Sequence, residues 1–190
     1  GGFKNNLANG FGKQEEPDGT WWEGEIKNDK LNGKAIYVTS RGDRYEGIFK
    51  DGLLHGQGTY TTTKGANVTG EFKKDLLNGQ GRWEYPGGDV ATGNFKDDQL
   101  DGYGIYIWSN GDKYEGEWLD GIRTGKGKYT YESGTVYEGE FKDNYSEGNG
   151  TITYDYGDKY VGEFSDGLEH GQGTLEYKNG NKYIGQFDKG

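Results

Sequence analysis

The chain has 190 residues, of which 38 are glycine, 29% are hydrophobic and none is cysteine; 22 basic side chains stand against 32 acidic ones, a net charge of −10. The mean hydropathy is −1.08 and the pI is near 4.7. This composition excludes a disulfide framework, a thiolate metal site, an apolar membrane-spanning helix and the basic footprint of a general nucleic-acid binder.

From the amino terminus, one glycine returns every 23 residues: Gly1, Gly24, Gly47, Gly70, Gly93, Gly116, Gly139, Gly162 and Gly185. Two positions after each comes a large apolar residue: Phe3, Ile26, Phe49, Phe72, Phe95, Trp118, Phe141, Phe164 and Phe187. A Gly-x-Gly pair follows, from Gly10/Gly12 to Gly171/Gly173, broken only at Gly33/Ala35, and a last glycine closes each unit. A fixed period of this length redefines the fold as an array of like units. Within a unit the period is two. Gly102, Gly104, Tyr106 and Trp108, then Tyr114, Gly116 and Trp118, fall on one face of extended chain, and Lys113, Glu115, Glu117, Lys126, Lys128 and Thr130 on the other. Turn signals such as Ser109-Asn110-Gly111-Asp112 and Asp120-Gly121 separate the strands.

Each unit therefore reads as two short antiparallel strands. The predicted fold is all-β: an elongated, single-layer antiparallel meander of about sixteen strands, spanning on the order of 80 Å at about 4.8 Å per strand. It reads as one continuous array over 1–190, with units beginning near 1, 22, 45, 68, 91, 114, 137 and 160 and a partial unit at 183–190. Glycine beside an aromatic residue lets a ring from a neighbouring strand lie flat where no Cβ stands. Burying such a ring contributes up to roughly 4–6 kcal/mol, against about 0.5–1 kcal/mol for glycine in a strand. No unit buries its rings alone, so stability comes from stacked neighbours. The chain opens on Gly1 rather than Met, and reads as a piece of a longer protein.

The run Tyr114-Glu115-Gly116-Glu117-Trp118, Asp120-Gly121, Gly125-x-Gly127, Tyr131, Gly134 resembles the MORN (membrane occupation and recognition nexus) repeat. So do Tyr137-Glu138-Gly139-Glu140-Phe141 and Tyr160-Val161-Gly162-Glu163-Phe164. The resemblance covers the whole chain. It implies a β-hairpin array and a non-catalytic role in holding proteins or membranes together. The first half departs from the pattern. Val68 and Ala91 replace the leading Tyr, and Glu16, Thr39 and Thr62 replace a later one, which predicts looser packing or a shallow recess around residues 62–91.

Three surfaces are candidates for contact. Two aromatic rows recur at repeat spacing: Tyr37, Tyr60, Trp83, Tyr106, Tyr129, and Tyr85, Trp108, Tyr131, Tyr154, Tyr177. Such rings are either core or the floor of a groove for a peptide, and the second row is the better candidate for contact. Leu31, Leu54, Leu77 and Leu100 share one repeat position that becomes Arg123, Ser146 and Glu169 later, so this half-length column reads either as an exposed interaction ridge or as turn packing. The adjacent column, Leu53, Leu76, Ile122, Tyr145 and Leu168, persists and reads as structural. Residues 1–95 hold 12 basic and 13 acidic side chains and residues 96–190 hold 10 and 19, so a membrane contact would use the first half.

No catalytic constellation, phosphate loop, metal signature or cofactor motif is present, and His55 and His170 sit five units apart. The expected function is a non-catalytic cytoplasmic scaffold, cytoskeletal or ciliary, that binds protein partners through the aromatic groove. Open sheet edges predict a homodimer or a longer array. A membrane-lipid tether is the alternative, and a choline- or sugar-binding array a remote one.

Overall fold

A computed structural model describes residues 2–4 and 7–189, with the side chains of Phe3 and Lys4 left out. Gly1 and the Phe3 ring, the first members of their series, lie outside the described residues, as does Gly190. The chain divides into two compact units, Gly1–Gln99 and Leu100–Gly190. The first holds β1 (Gly2–Lys4), β2 (Leu7–Glu15), β3 (Trp21–Lys27), β4 (Lys30–Val38), β5 (Arg44–Lys50), β6 (Leu53–Thr61), β7 (Asn67–Lys73), β8 (Leu76–Glu84) and β9 (Val90–Lys96). The second is built from β10 (Gln99–Ile107), β11 (Lys113–Leu119), β12 (Ile122–Thr130), β13 (Val136–Lys142), β14 (Tyr145–Thr153), β15 (Lys159–Ser165), β16 (Leu168–Glu176) and β17 (Lys182–Phe187). Within each unit every strand pairs antiparallel with the next, from β1 to β9 and from β10 to β17. The described residues form no helix, so the all-β meander of hairpins is the fold.

Two turn chemistries alternate. The tight turns put two consecutive residues at positive φ, as in Asp120 (46°) and Gly121 (78°), or Asp143 (50°) and Asn144 (73°). This is the two-residue hairpin turn whose twist matches that of the strands, and Asp, Asn and Gly tolerate it best. The turn's second N–H bonds back to the preceding repeat: Asp75 to the Leu54 carbonyl (3.0 Å), Asn144 to that of Arg123 (3.2 Å) and Gly167 to that of Ser146 (3.0 Å). Where that residue is Asp or Asn, its side chain accepts the N–H of the same partner, as Asp75 does from Leu54 (2.7 Å) and Asn144 from Arg123 (3.0 Å). The longer turns close through paired bonds such as Trp108 N–H to Asp112 O and Gly111 N–H to Trp108 O, both 2.9 Å.

Six hairpins also carry a bulge after the recurring glycine, as between Gly116 and Glu117. The glutamate at the bulge serves the partner strand: Glu117 accepts the Lys126 N–H and Glu163 the Gln172 N–H, both at 3.1 Å. The charged face pairs across strands, with Lys128 at 2.6 Å from Glu138.

The opposite face of each sheet is the core, and the two units fill it differently. In the second unit Tyr114, Tyr137 and Tyr160 are almost wholly buried. The Tyr114 ring lies across Gly127, where an added Cβ would stand 2.6 Å from its Cε2 and Cζ; Tyr137 covers Gly150 in the same way. Their hydroxyls donate to the carbonyls of Glu117 (3.1 Å), Glu140 (2.9 Å) and Glu163 (2.8 Å). Edge-to-face contacts run from Trp118 to Tyr114 (5.0 Å), on to Phe141 (4.9 Å), Tyr137 (5.1 Å) and Phe164 (4.8 Å). In the first unit leucine does this work. Leu54 covers Gly58 and Leu77 covers Gly81, where an added Cβ would meet their Cδ1 atoms at 2.9 and 2.8 Å.

Two expectations are corrected here. Leu31, Leu54, Leu77 and Leu100 are 8%, 0%, 0% and 5% exposed, so the column is core and not an exposed ridge. The persistent neighbouring column, Leu53, Leu76, Ile122, Tyr145 and Leu168, is the exposed one. Residues 62–91 are not loosely packed on this face either, because Val68 and Ala91 are buried and Leu77 fills the space a tyrosine would take. A shallow concavity of about 640 Å³ does lie here, but on the polar face, among Gln57, Thr59, Thr69, Gln80 and Thr92.

The leading position and the leucine position are thus reciprocal, Val68 with Leu77 in one unit and Tyr137 with Ser146 in the other. Leu77→Ser should cost about 2–5 kcal/mol. Val68→Tyr should cost about 1–3 kcal/mol by overpacking. The double variant should recover part of the loss, with a coupling of about 0.5–3 kcal/mol in a denaturant cycle. Strict additivity would refute the reciprocity.

Candidate functional site

Trp108, Tyr131, Tyr154 and Tyr177 each stand one residue beyond the end of β10, β12, β14 and β16. Their place is fixed by backbone: in all four, the N–H and carbonyl of the ring residue close the following turn at 2.8–2.9 Å. The strand's twofold alternation brings them to the core face, past its buried part. Tyr131 and Tyr177 are 41% and 40% exposed, while Trp108 and Tyr154 are half-buried. Tyr85 takes the same position after β8 in the first unit, half-buried and stacked on Trp83 at 5.2 Å.

The first aromatic row, Tyr37, Tyr60, Trp83, Tyr106 and Tyr129, is half-buried throughout. It forms a layer between the buried tyrosines and the outer row. Tyr106 meets Trp108 at 4.7 Å, Trp108 meets Tyr129 at 5.4 Å, and Tyr129 meets Tyr131 at 4.5 Å. The Tyr129 hydroxyl donates to Asp112 Oδ2 (2.9 Å), and the Tyr154 hydroxyl to Glu169 Oε1 (2.5 Å). Burial opposes the charge of Asp112, but the Glu132 N–H, the Asn110 side chain and the Tyr129 hydroxyl outweigh it and hold the carboxyl below its usual range.

Sequence reading missed Arg123 as a site residue. Its guanidinium lies 5.1 Å from the Tyr129 ring centroid, 5.6 Å from those of Trp108 and Tyr114, and 5.8 Å from that of Phe141. Its Nη2 donates to the Asn144 carbonyl at 2.8 Å. The signal was present: Arg123 is the one arginine after Arg82, and it stands where the first half has leucine. It lines a cavity of about 180 Å³ with Tyr129, Tyr131, Tyr145 and Ser146. Among the described residues no group of three His, Asp or Glu side chains gathers as metal ligands, and no helix is long and apolar enough to cross a membrane.

The sequence matches the MORN repeat family in eight consecutive segments, 1–21, 22–44, 45–66, 69–90, 92–113, 114–136, 137–159 and 160–182; the chain belongs to this family. No curated protein matches it. Among solved structures it is similar to the SAS-4 (dCPAP) TCP domain of Drosophila melanogaster, determined in complex with a proline-rich motif of Ana2 (dSTIL): 14% identity over 93% of this chain and 90% of that one, TM-score 0.50. The TCP10c domain of Drosophila melanogaster Sas-4 also matches, at 14% identity over 93% of this chain and 99% of that one, TM-score 0.48. At this identity the likeness concerns the fold alone.

Burial pushes Tyr114 and Tyr129 up to about 12 from an ordinary value of 10.0, with Asp112 adding to the shift of Tyr129 and Arg123 opposing both. A raised pKa means the unfolded chain ionises first. The stability these hydroxyls contribute is complete below pH 10 and should be lost progressively between about pH 10 and 12. Tyr114→Phe should lower stability at neutral pH by about 1 kcal/mol, through the bond to Glu117, and make the alkaline loss shallower. Chemical denaturation at pH 8, 10 and 11 checks both; an identical pH slope in the variant would refute the assignment.

Proposed function

We propose that this MORN array is a protein-interaction scaffold whose second unit takes an extended segment of a protein partner along the row Trp108, Tyr131, Tyr154 and Tyr177. The observation that carries the reading is that row, set on one strand in two and open to solvent at Tyr131 and Tyr177. Strands about 4.8 Å apart set such rings about 10 Å apart. A polyproline II segment repeats every three residues, about 9.3 Å. A chain with proline at every third position therefore meets successive rings in register, and its preformed backbone loses little entropy on docking. The complex of the Drosophila SAS-4 TCP domain with a proline-rich motif of Ana2 is consistent with this choice, on a sheet of similar fold. The role is non-catalytic, and a cytoplasmic, cytoskeleton-associated setting fits it.

The membrane-tether alternative drew on the family resemblance and on the neutral first half with its leucine column, and that column, Leu31, Leu54, Leu77 and Leu100, is core. Liposome flotation with neutral and anionic vesicles should therefore find the protein unbound.

A synthetic peptide with proline at every third position, titrated into the protein and followed by Trp fluorescence and amide shifts, should perturb the Trp108 indole and the turns after β12, β14 and β16. Tyr131→Ala and Tyr177→Ala should each weaken binding by about 5- to 30-fold, the loss of about 1–2 kcal/mol expected at a contact ring. Absence of binding, or affinity unchanged by both variants, would overturn the reading.

A further inference from the structure

Arg123 is held by rings rather than by a counter-ion. Among the described residues no carboxylate lies within ion-pair distance of its guanidinium, and its hydrogen bonds all go to Asn144, through Nη2 to the carbonyl and Nε to Oδ1. A half-buried guanidinium held by rings and by one amide side chain has N–H donors left for an anionic partner. The cavity it lines is bordered by Ser146, Tyr131 and Tyr145, none of which makes a side-chain hydrogen bond among the described residues. Arg123, Ser146, Tyr131 and Tyr145, all with groups able to donate, line one space of about 180 Å³.

The repeat explains the vacancy. Arg123, Ser146 and Glu169 occupy one repeat position on successive hairpins, each on the strand facing the leading tyrosine. Arg123 sets its guanidinium beside the rings of Trp108, Tyr114, Tyr129 and Phe141. One repeat later the residue is the shorter Ser146, which borders the cavity beside Arg123, and one further on Glu169 takes the Tyr154 hydroxyl as its partner. The gap left at Ser146 is where the Arg123 charge is accessible.

We propose that this gap binds a carboxylate: an aspartate or glutamate side chain of the partner segment, seated between Tyr131 and Tyr145 and paired with Arg123. The proposal rests on the groove reading above and specifies its chemistry. The size of the space suits a single side chain. Residues 96–190 hold 19 acidic against 10 basic side chains, which disfavours a whole anionic surface such as a membrane while leaving one carboxylate free to reach one arginine. Charge-assisted bonds of guanidinium to carboxylate are the strong ones, and discrimination against an amide of equal size follows from them.

The test is a displayed peptide library with proline fixed at every third position and the intervening positions random, selected on the wild-type protein, Arg123→Gln, Arg123→Glu and Ser146→Glu. Wild type should enrich Asp or Glu at one intervening position. Arg123→Gln should lose that preference, and Arg123→Glu should replace it with Lys or Arg. Ser146→Glu, which leaves Arg123 and its ring contacts in place, should lose it by filling the gap. In a selected peptide, Glu→Gln should weaken binding about tenfold on wild type and less than twofold on Ser146→Glu. Thermal melting of each variant establishes that it is folded. Peptides that bind wild type with no acidic preference, or with one indifferent to all three variants, overturn the carboxylate site and leave the groove standing. A library from which nothing binds overturns both.

Discussion

The structure depends on one contact: a large side chain laid flat across a pair of glycines on adjacent strands. A sheet one layer thick has no second layer to cover its apolar face, so its side chains must cover each other's backbones. Where Tyr114 crosses Gly127, or Leu77 crosses Gly81, an added Cβ would stand under 3 Å from the covering side chain. Glycine, usually a weakness in a strand, is here the surface against which the core packs. The bulge after the recurring glycine and the glutamate that serves its freed N–H keep the strand in position beneath that contact.

Much of this was legible in the sequence because the period is strict. The strict 23-residue spacing gave the hairpins, the turns and the division into a charged and an aromatic face. What was misjudged was the relation between columns. Leu77 looked exceptional because its counterparts Ser146 and Glu169 are polar, yet Val68 on the adjacent strand of the same hairpin had already lost the tyrosine that Tyr137 and Tyr160 supply. Each column was read along the chain, whereas the volume is conserved across the hairpin. Arg123 was missed for the same reason: a charged residue among apolar ones reads as surface until the four rings around it are placed.

The candidate site follows from the same economy of layers. The leading tyrosines that cover the glycines are buried, Tyr129 across the hairpin from Tyr114 is half-buried, and Tyr131 and Tyr177 at the turns reach solvent. Three repeat positions thus grade from core to contact without any loop built for binding. Specificity then falls to the few positions where one repeat differs from the next, and the Arg123, Ser146, Glu169 series changes charge at each step.

The back-bonds of the tight turns all point one way. The N–H of Asp75 reaches the Leu54 carbonyl, that of Asn144 reaches Arg123 and that of Gly167 reaches Ser146, in each case an acceptor 21 residues earlier. A repeat emerging from the ribosome therefore finds these backbone acceptors already laid down, and its Asp or Asn side chain in turn takes an N–H of the repeat before it. Such a chain is suited to vectorial assembly during synthesis, one hairpin added to a finished edge at a time.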